Sequence, residues 1–290
     1  MPSFKENKAT LAMKTILVPT DFSARAEEAL NFAVQFSERV GGAIKLMHIV
    51  DFPSGSFNTM GEVDNMDPEI IFQGEYLRGV HERLEEIKER YSDYDIQAKI
   101  KYGNPYTSIS SEISEEEVDY IVMGSNGASG LKEVFIGSVA EKVIRNASCP
   151  VIVIKGPVRL SEMKSFVFAS DLSEEQDFIA SKAKDFQELL GLNMHVLTVK
   201  TPHNMRAEFE TKKKMSEFAE RNFLEKYTTN TINADYSDEG IVDFAEGINA
   251  GMILMGTHGK TGLAHIFGGS RAEDVANEST IPVMTFKINL

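Results

Sequence analysis

The chain of 290 residues is long enough for about two domains, and its 42% hydrophobic content is enough for well-packed cores. Acidic side chains outnumber basic ones by 44 to 30, and the formal net charge of -14 disfavours a general nucleic-acid-binding surface. The single cysteine, Cys149, excludes an intramolecular disulfide framework and fits a reducing compartment. Apolar stretches fall short of a membrane span of roughly 20 residues, and the N-terminus lacks the apolar centre of a secretory signal. We therefore expect a cytoplasmic protein without nucleic-acid or membrane partners.

Short apolar runs alternate with amphipathic stretches in the first half of the chain. The apolar runs predict strands over residues 15–19, 43–50, 97–102, 120–124 and 151–155. Helical patterns lie near residues 24–40, 69–92, 105–116 and 138–147, and Ser23 is placed to cap the first. Residues 51–74, rich in Gly, Ser, Asn and Pro, are interpreted as a loop. Continuous β-branched strands in a βαβα order predict a parallel sheet with helices on both faces.

The second half repeats this order after a linker predicted over residues 156–162, which contains Gly and Pro. Its strands are predicted over residues 165–170, 194–200, 231–236, 251–256 and 283–288. Ser173 and Gln176 have the spacing of a capping box that opens a helix running to Leu190.

The chain is a doubled unit. KTILVPTDFS at residues 14–23 reappears as KSFVFASDLS at 164–173, and IVMGSNGASGLKEVFIGS at 121–138 reappears as ILMGTHGKTGLAHIFGGS at 253–270. We therefore predict a flexible extension over residues 1–12, one domain over 13–156 and a second over 163–290, each doubly wound around a five-stranded parallel sheet. The last strands, 151–155 and 283–288, are apolar edges, so we expect them to pair within the chain. Other surfaces leave room for a homodimer.

Identical glycine spacing follows the fourth strand of each half. The pattern is G-x2-G-x9-G-S, formed by Gly124, Gly127, Gly137 and Ser138 and again by Gly256, Gly259, Gly269 and Ser270. Glycines at a strand exit let backbone N–H groups approach an anion, and the following helix N-terminus favours phosphate. The carboxyl ends of parallel strands are also where open α/β sheets bind ligands. The alternative is that these glycines only make tight turns and helix packing.

The glycine spacing, VPTDFS and GSVAEKVIRNASCPVIVIK together resemble the universal stress protein family in its tandem, UspA-like form. The resemblance covers nearly the whole chain after about Met13. It implies Rossmann-like domains of the adenine nucleotide alpha hydrolase type, and members with the full glycine motif bind ATP.

The family pattern also implies which residues surround the nucleotide. In the first half they are Pro19, Thr20 and Asp21 beside adenine, Ile49 and Met123 against base or ribose, and Gly124, Gly127, Gly137, Ser138 and Val139 around ribose and phosphates. In the second half they are Ala169, Ser170, Asp171, Val199, Met255, Gly256, Gly259, Gly269, Ser270 and Arg271.

The second half departs from the more typical pattern at three of these positions. Ala169 and Ser170 replace the Pro-Thr pair, and Arg271 stands where the first half has Val139. Arg271 could pair with a phosphate or point to solvent. In the first half, Asn126 replaces a histidine that the family often has and that the second half retains as His258.

Other candidate sites are weak. Residues 259–261 end like a P-loop, but Leu254 occupies the position of the required first glycine. The six histidines have no ligand-like spacing, so we expect no metal site built from protein side chains. Cys149 matches an apolar position of the second half and is interpreted as a buried small hydrophobe, and the acidic run 115–117 as a solvated helix face.

These residues predict a nucleotide-holding stress-response or signalling protein that binds ATP without rapid turnover, with any Mg²⁺ or Mn²⁺ bound through the phosphates. No Ser-His-Asp or paired-carboxylate arrangement is evident, and Asp21 and Asp171 are placed to accept a hydrogen bond from the base or to cap a turn. One alternative is a slow ATPase, autokinase or nucleotidyl transferase, which would need a divalent ion and a general base. Another is an interaction scaffold with empty clefts.

Overall fold

The computed structural model describes residues 13–51, 68–125, 136–204, 207–258 and 271–288, with only the backbone described for 68–72 and 258. The extension 1–12 and most of the 51–74 segment therefore lie outside the described residues. So do four of the candidate site residues: Gly127, Gly259, Gly269 and Ser270.

In its described ranges, the first half has five strands and four α-helices that alternate along the chain. They are β1 (Lys14–Thr20), α1 (Ala24–Val40), β2 (Gly42–Val50), α2 (Pro68–Arg90), β3 (Ile96–Tyr102), α3 (Pro105–Glu115), β4 (Tyr120–Gly124), α4 (Ser138–Asn146) and β5 (Val151–Ile154).

The second half has the same order. It comprises β6 (Ser165–Ala169), α5 (Asp177–Leu190), β7 (Asn193–Lys200), α6 (Glu208–Arg221), β8 (Tyr227–Asn233), α7 (Ser237–Gly247), β9 (Ile253–His258), α8 (Arg271–Glu278) and β10 (Val283–Ile288). Two short 3₁₀ turns, Leu160–Glu162 and Glu174–Gln176, flank β6.

The ten strands of the described residues form one continuous sheet in the order β3-β2-β1-β4-β5-β10-β9-β6-β7-β8. Within each half every pairing is parallel, as the two predicted five-stranded sheets require. The halves join through β5 and β10, which are antiparallel, with Ile152 opposite Met284 and Val153 opposite Val283. The predicted pairing of the two last strands is thus confirmed. Because this junction is antiparallel, the carboxyl ends of the two sets of parallel strands lie at opposite edges of the sheet.

The helices divide evenly between the two faces of the sheet. One buried cluster contains side chains of α1, α2, α5 and α6, and the other contains side chains of α3, α4, α7 and α8. Neighbouring strand residues alternate between them, so Val18 belongs to the first cluster and Leu17 to the second. Burial on both faces explains the uninterrupted apolar runs of the sequence. No helix in the described ranges is both long and apolar enough to cross a bilayer.

The two helix starts predicted from capping residues have different outcomes. The Ser23 hydroxyl accepts a hydrogen bond from the Ala26 N–H at 3.2 Å, so its predicted cap is confirmed. The capping box predicted from Ser173 and Gln176 is wrong, because the Ser173 side chain makes no cap bond. A 3₁₀ turn intervenes there, and α5 begins only at Asp177.

Three further element predictions need correction. The strand predicted over residues 231–236 lies at Tyr227–Asn233, because this edge strand has mostly exposed polar residues and so lacks the apolar signal used to place it. The loop predicted over residues 51–74 ends earlier than expected, because α2 already begins at Pro68, where proline suits the first turn. Strand β9 begins at Ile253 and runs two residues beyond its predicted end.

The connection between the halves is packed against the first half. Leu160 is buried, and its N–H donates to Gln35 Oε1 at 2.9 Å. The same Gln35 side chain donates to the Val158 carbonyl at 3.0 Å. Gln35 of α1 therefore holds residues 158 and 160 of this connection against the first half.

Candidate functional site

Each half has a topological switch point between its first and fourth strands. In the first half β1 lies between β2 and β4, and in the second half β6 lies between β7 and β9. The chain leaves these strands toward opposite sides, which opens a crevice at their carboxyl ends. Leu17 is opposite Ile121 and Ala169 is opposite Met255, so the predicted strand-end residues of each half come together at its crevice.

A tight turn with a defined hydrogen-bond pattern closes the first strand. Thr20 Oγ1 accepts from the Phe22 N–H at 3.1 Å, and Asp21 Oδ1 accepts from the Ser23 N–H at 3.0 Å. Phe22 has a φ of 62°, which is strained for a residue with a side chain. The turn directs the strand straight into α1.

The second half builds the same turn from different residues. Ser170 Oγ accepts from the Leu172 N–H at 3.0 Å, and Asp171 Oδ1 accepts from the Ser173 N–H at 3.0 Å. Leu172 repeats the positive φ, at 64°. Replacing Pro-Thr by Ala-Ser therefore leaves the turn intact. One oxygen of each aspartate supports the backbone, as the turn-capping alternative requires.

A side chain from the second strand supports each turn from below. His48 Nδ1 is 2.8 Å from the Thr20 carbonyl oxygen, and Thr198 Oγ1 donates to the Ser170 carbonyl at 2.9 Å. His48 is only 4% exposed and stacks on Phe22 with ring centroids 4.5 Å apart. Burial lowers the pKa of His48 below its usual range, against the opposing hydrogen bond to Thr20. Sequence reasoning missed these two supports, although their equal offset from Thr20 and Ser170 could have paired them.

The predicted apolar contacts of both crevices lie on the same face of the sheet. They belong to, or pack against, the cluster formed with α3, α4, α7 and α8: Ile49, Met123, Val139, Ala169, Val199 and Met255. Met123 and Met255 are 6% and 5% exposed, so most of the surface of each side chain is already buried in the core. Pro19 and Ile49 keep partial exposure beside them.

The first glycine of each motif is closely packed. A Cβ on Gly124 would lie 2.9 Å from the backbone carbon and oxygen of Arg25, and one on Gly256 would lie 2.9 Å from Ile288 Cδ1. Both distances are shorter than carbon atoms tolerate. For Gly124 helix packing is thus a sufficient reason, as the alternative interpretation held, whereas Gly256 packs against a side chain of β10.

The later part of the motif opens a helix, as predicted. Gly137 is the N-cap of α4, no side chain caps it, and its N–H donates to the Ser125 carbonyl at 2.6 Å. Ser138 is exposed and Val139 partly exposed at the first turn. This helix start can present its N–H groups to an anion. In the second half α8 begins at Arg271, which is exposed.

Contacts between the halves reach both helix starts, and sequence reasoning missed them. Asn277 Oδ1 in α8 accepts from the Ile136 N–H, one residue before the α4 cap, at 2.7 Å. Arg145 in α4 pairs with Glu273 in the first turn of α8, with Nε 2.6 Å from Oε1. The contacts join residues more than 120 positions apart, and no local pattern marks them.

The remaining candidates have structural roles. Cys149 is 8% exposed and burial raises the pKa of its thiol to about 12, which confirms it as a buried small hydrophobe. The acidic run is exposed as predicted, but only Glu115 lies in α3, and Glu116 pairs with Lys45 at 2.8 Å. Within the ranges described, no three His, Cys, Asp or Glu side chains group as a metal site would require.

Comparison with known proteins identifies the repeated unit. The family model described as "Universal stress protein family" matches residues 13–155 and 162–287. Among curated proteins, Universal stress protein MJ0577 of Methanocaldococcus jannaschii is 33% identical over 153 residues, which is 49% of this chain and 94% of that protein.

Two solved structures are reported for comparison, and the first shares the architecture. A universal stress protein from Archaeoglobus fulgidus has a TM-score of 0.71 and 23% identity, over 95% of this chain and 98% of the other. Another from Archaeoglobus fulgidus, in complex with dAMP, has a TM-score of 0.35 and 22% identity, over 43% of this chain and 98% of the other. The similarity to the first structure shows the fold of this chain, and nothing is concluded from the similarity to the second.

Proposed function

Since the chain belongs to the universal stress protein family, we propose that it binds ATP in the two crevices and holds it without rapid turnover as a stress-response or signalling protein. Family membership covers both halves, and each half has the full glycine spacing. The observation that carries the proposal is the repeated strand-end turn at each switch point, with an aspartate and an apolar wall facing the same crevice.

The arrangement supplies three kinds of contact for an adenine nucleotide. Asp21 and Asp171 are acceptors for the base amino group, and partly exposed Ile49 and Pro19 offer an apolar surface to the ring. The capping Gly137 and exposed Ser138 place N–H and O–H donors at the start of α4 for the phosphates. A divalent ion would be bound through the phosphates.

Slow turnover is proposed because the two strand-end aspartates and the buried histidine near them support the turns. One oxygen of each strand-end aspartate accepts a backbone N–H of its turn, which suits a fixed acceptor better than a proton-transferring base. His48 faces the Thr20 carbonyl from below the turn, among core residues. Neither group is thereby placed for the proton transfer that an efficient phosphotransferase needs.

The first test is to release and identify the ligand of the purified protein by mass spectrometry and then titrate the ligand-free protein with ATP. We expect about two sites. Gly127→Val and Gly259→Val should each remove about one, and the double variant should bind no ATP, because valine would block the close backbone approach. Gly79→Val is the matched control, since a Cβ there meets open space.

Unchanged ATP binding in a folded Gly127→Val/Gly259→Val protein would contradict the proposed site. Rapid phosphate release with magnesium would instead favour the enzyme alternative. Absence of any bound nucleotide in the unsubstituted protein would favour the scaffold.

A further inference from the structure

We propose that Asn277 of the second half is a positioning residue for the first nucleotide site, because it holds the residues that lead into α4. The inference rests on the proposed function. The first site would then be completed across the junction, and the second half would contribute to phosphate binding in the first.

The contact is specific and sheltered. The Asn277 Oδ1 atom accepts from the Ile136 N–H at 2.7 Å, and Ile136 is 7% exposed. A buried backbone N–H needs a partner, so this bond fixes the chain just before the α4 cap. The next residue, Gly137, is the N-cap, and Ser138 begins the helix.

Two other contacts fix α8 where Asn277 can reach this segment. The Lys155 ammonium, at the end of β5, donates to the backbone carbonyl of Asn277. The Glu273 carboxylate, 5% exposed in its side chain, is paired with Arg145 of α4. The carboxamide of Asn277 is thus presented to Ile136 by a helix that the first half holds at both ends.

The residue equivalent to Asn277 differs in the first half, so the two halves do not make the same contact. With Ser138 matched to Ser270, position 145 of the first half corresponds to position 277 of the second. An arginine carries only hydrogen-bond donors, so an arginine at 277 could not accept from the Ile136 N–H. The asparagine is what allows this bond, and the reciprocal contact at the start of α8 is an ion pair instead.

Loss of the acceptor has a definite consequence. Ile136 N–H would be left without its partner, and the first turn of α4 would be less firmly placed toward the phosphates. Base and ribose contacts at the ends of β1 and β4 would be unaffected. ATP should therefore lose affinity for the first site while adenosine does not.

The experiment compares Asn277→Ala with Asn146→Ala in a Gly259→Val background, which leaves only the first site. Asn146 is the matched control because it ends α4 and its side chain donates to Lys142 within its own helix, at 2.7 Å. We expect Asn277→Ala to weaken the binding of ATP about three- to tenfold, as for the loss of one hydrogen bond. Adenosine affinity should not change, and Asn146→Ala should change neither.

Amide hydrogen exchange of the ligand-free full-length protein provides a second readout. Exchange at Ile136 should be faster in Asn277→Ala and stay slow in Asn277→Asp, which retains an acceptor oxygen. Unchanged exchange in Asn277→Ala would overturn the inference, as would ATP affinity equal to that of the Asn146→Ala control. Equal weakening of ATP and adenosine would also overturn it, because it would indicate general loosening. No ATP binding by the unsubstituted protein would overturn the proposed function itself, whatever the exchange shows.

Discussion

At the scale of single residues, His48 and Thr198 are two different side chains that bind the equivalent backbone carbonyl in the two halves. The carbonyl at the end of the first strand of each half faces a side chain on the second strand, and each half supplies a different donor to it. The histidine adds an aromatic surface against Phe22, over which the Arg83 guanidinium lies 5.4 Å from the ring centroid. The protein therefore contains, in its own second half, a natural replacement for its buried histidine.

This equivalence makes the pH dependence of stability testable. The pKa of His48 is lowered by burial, so the unfolded chain binds a proton at pH values where the folded protein does not. The free energy of unfolding should then decrease as the pH falls below about 6.5, the usual pKa of histidine. His48→Thr should keep the bond to the Thr20 carbonyl and reduce this acid dependence.

Thermal melts between pH 7.5 and 5.5 check the prediction. The melting temperature of the unsubstituted protein should fall more between pH 7.5 and pH 5.5 than that of His48→Thr. His195→Thr is a comparison variant: burial also lowers the pKa of His195, but this side chain is only partly buried, so we expect its replacement to reduce the acid dependence less than His48→Thr does. Parallel pH profiles for the unsubstituted protein and His48→Thr would contradict the role of His48.

At the scale of elements, the two motif glycines pack differently against their neighbours. The Cβ of Gly124→Ala would meet the Arg25 backbone in α1, which cannot yield without moving the helix, whereas that of Gly256→Ala would meet the end of the Ile288 side chain. We expect Gly124→Ala to lower the free energy of unfolding by about 1–3 kcal/mol, typical of overpacking, and Gly256→Ala by less. Urea denaturation of the two single variants measures the difference, and equal losses would show that α1 can shift.

The element order was predictable because buried parallel strands need continuous apolar residues on both faces. β4 (Tyr120–Gly124) and β10 (Val283–Ile288) lie where the sequence placed them. β8 does not, because an edge strand with an exposed surface has no apolar run to mark its ends. The Ser173 cap failed because a 3₁₀ turn intervenes before α5, and the local sequence does not distinguish it from the start of an α-helix.

The candidate site was predictable only in its local parts. The strand-end aspartates and the Gly137 cap follow from motifs within a few residues, and the structure places them at the switch points. Asn277 carries no such signal, because its partner lies in the other half and an asparagine in a short helix is ordinary. Such contacts depend on how the halves meet, which local patterns do not encode.

At the scale of the whole molecule, the halves are joined by a sheet junction and by a partly buried ion pair. Glu273 is nearly inaccessible, whereas the Arg145 side chain keeps 39% exposure. Replacing Arg145 alone should therefore lower the free energy of unfolding by about 2 kcal/mol, which is less than the roughly 3–5 kcal/mol expected when a fully buried pair is broken. Replacing both partners by apolar residues should restore most of the loss.

A double-mutant cycle tests this expectation. Arg145→Met, Glu273→Leu and the double variant are compared by chemical denaturation, and the coupling should exceed about 1 kcal/mol. The Lys212–Glu208 pair on the exposed face of α6 is a control, for which we expect less than about 0.5 kcal/mol. Additive losses at Arg145 and Glu273 would mean that the pair does not stabilise the junction.

The antiparallel β5–β10 junction has a consequence for behaviour on dilution. The two halves are tethered through the short connection 155–164, so β5 of one half and β10 of the other meet at an effective concentration that for short linkers is in the millimolar range. Two separate subunits meeting at such an edge would part as their concentration fell, whereas these halves remain paired in a single molecule. Because the halves are covalently joined, they need not be identical. One half has His48 against the Thr20 carbonyl, and the other has Thr198 against the Ser170 carbonyl. The two unlike sites are therefore always present in a one-to-one ratio, which self-association of a single kind of subunit could not produce.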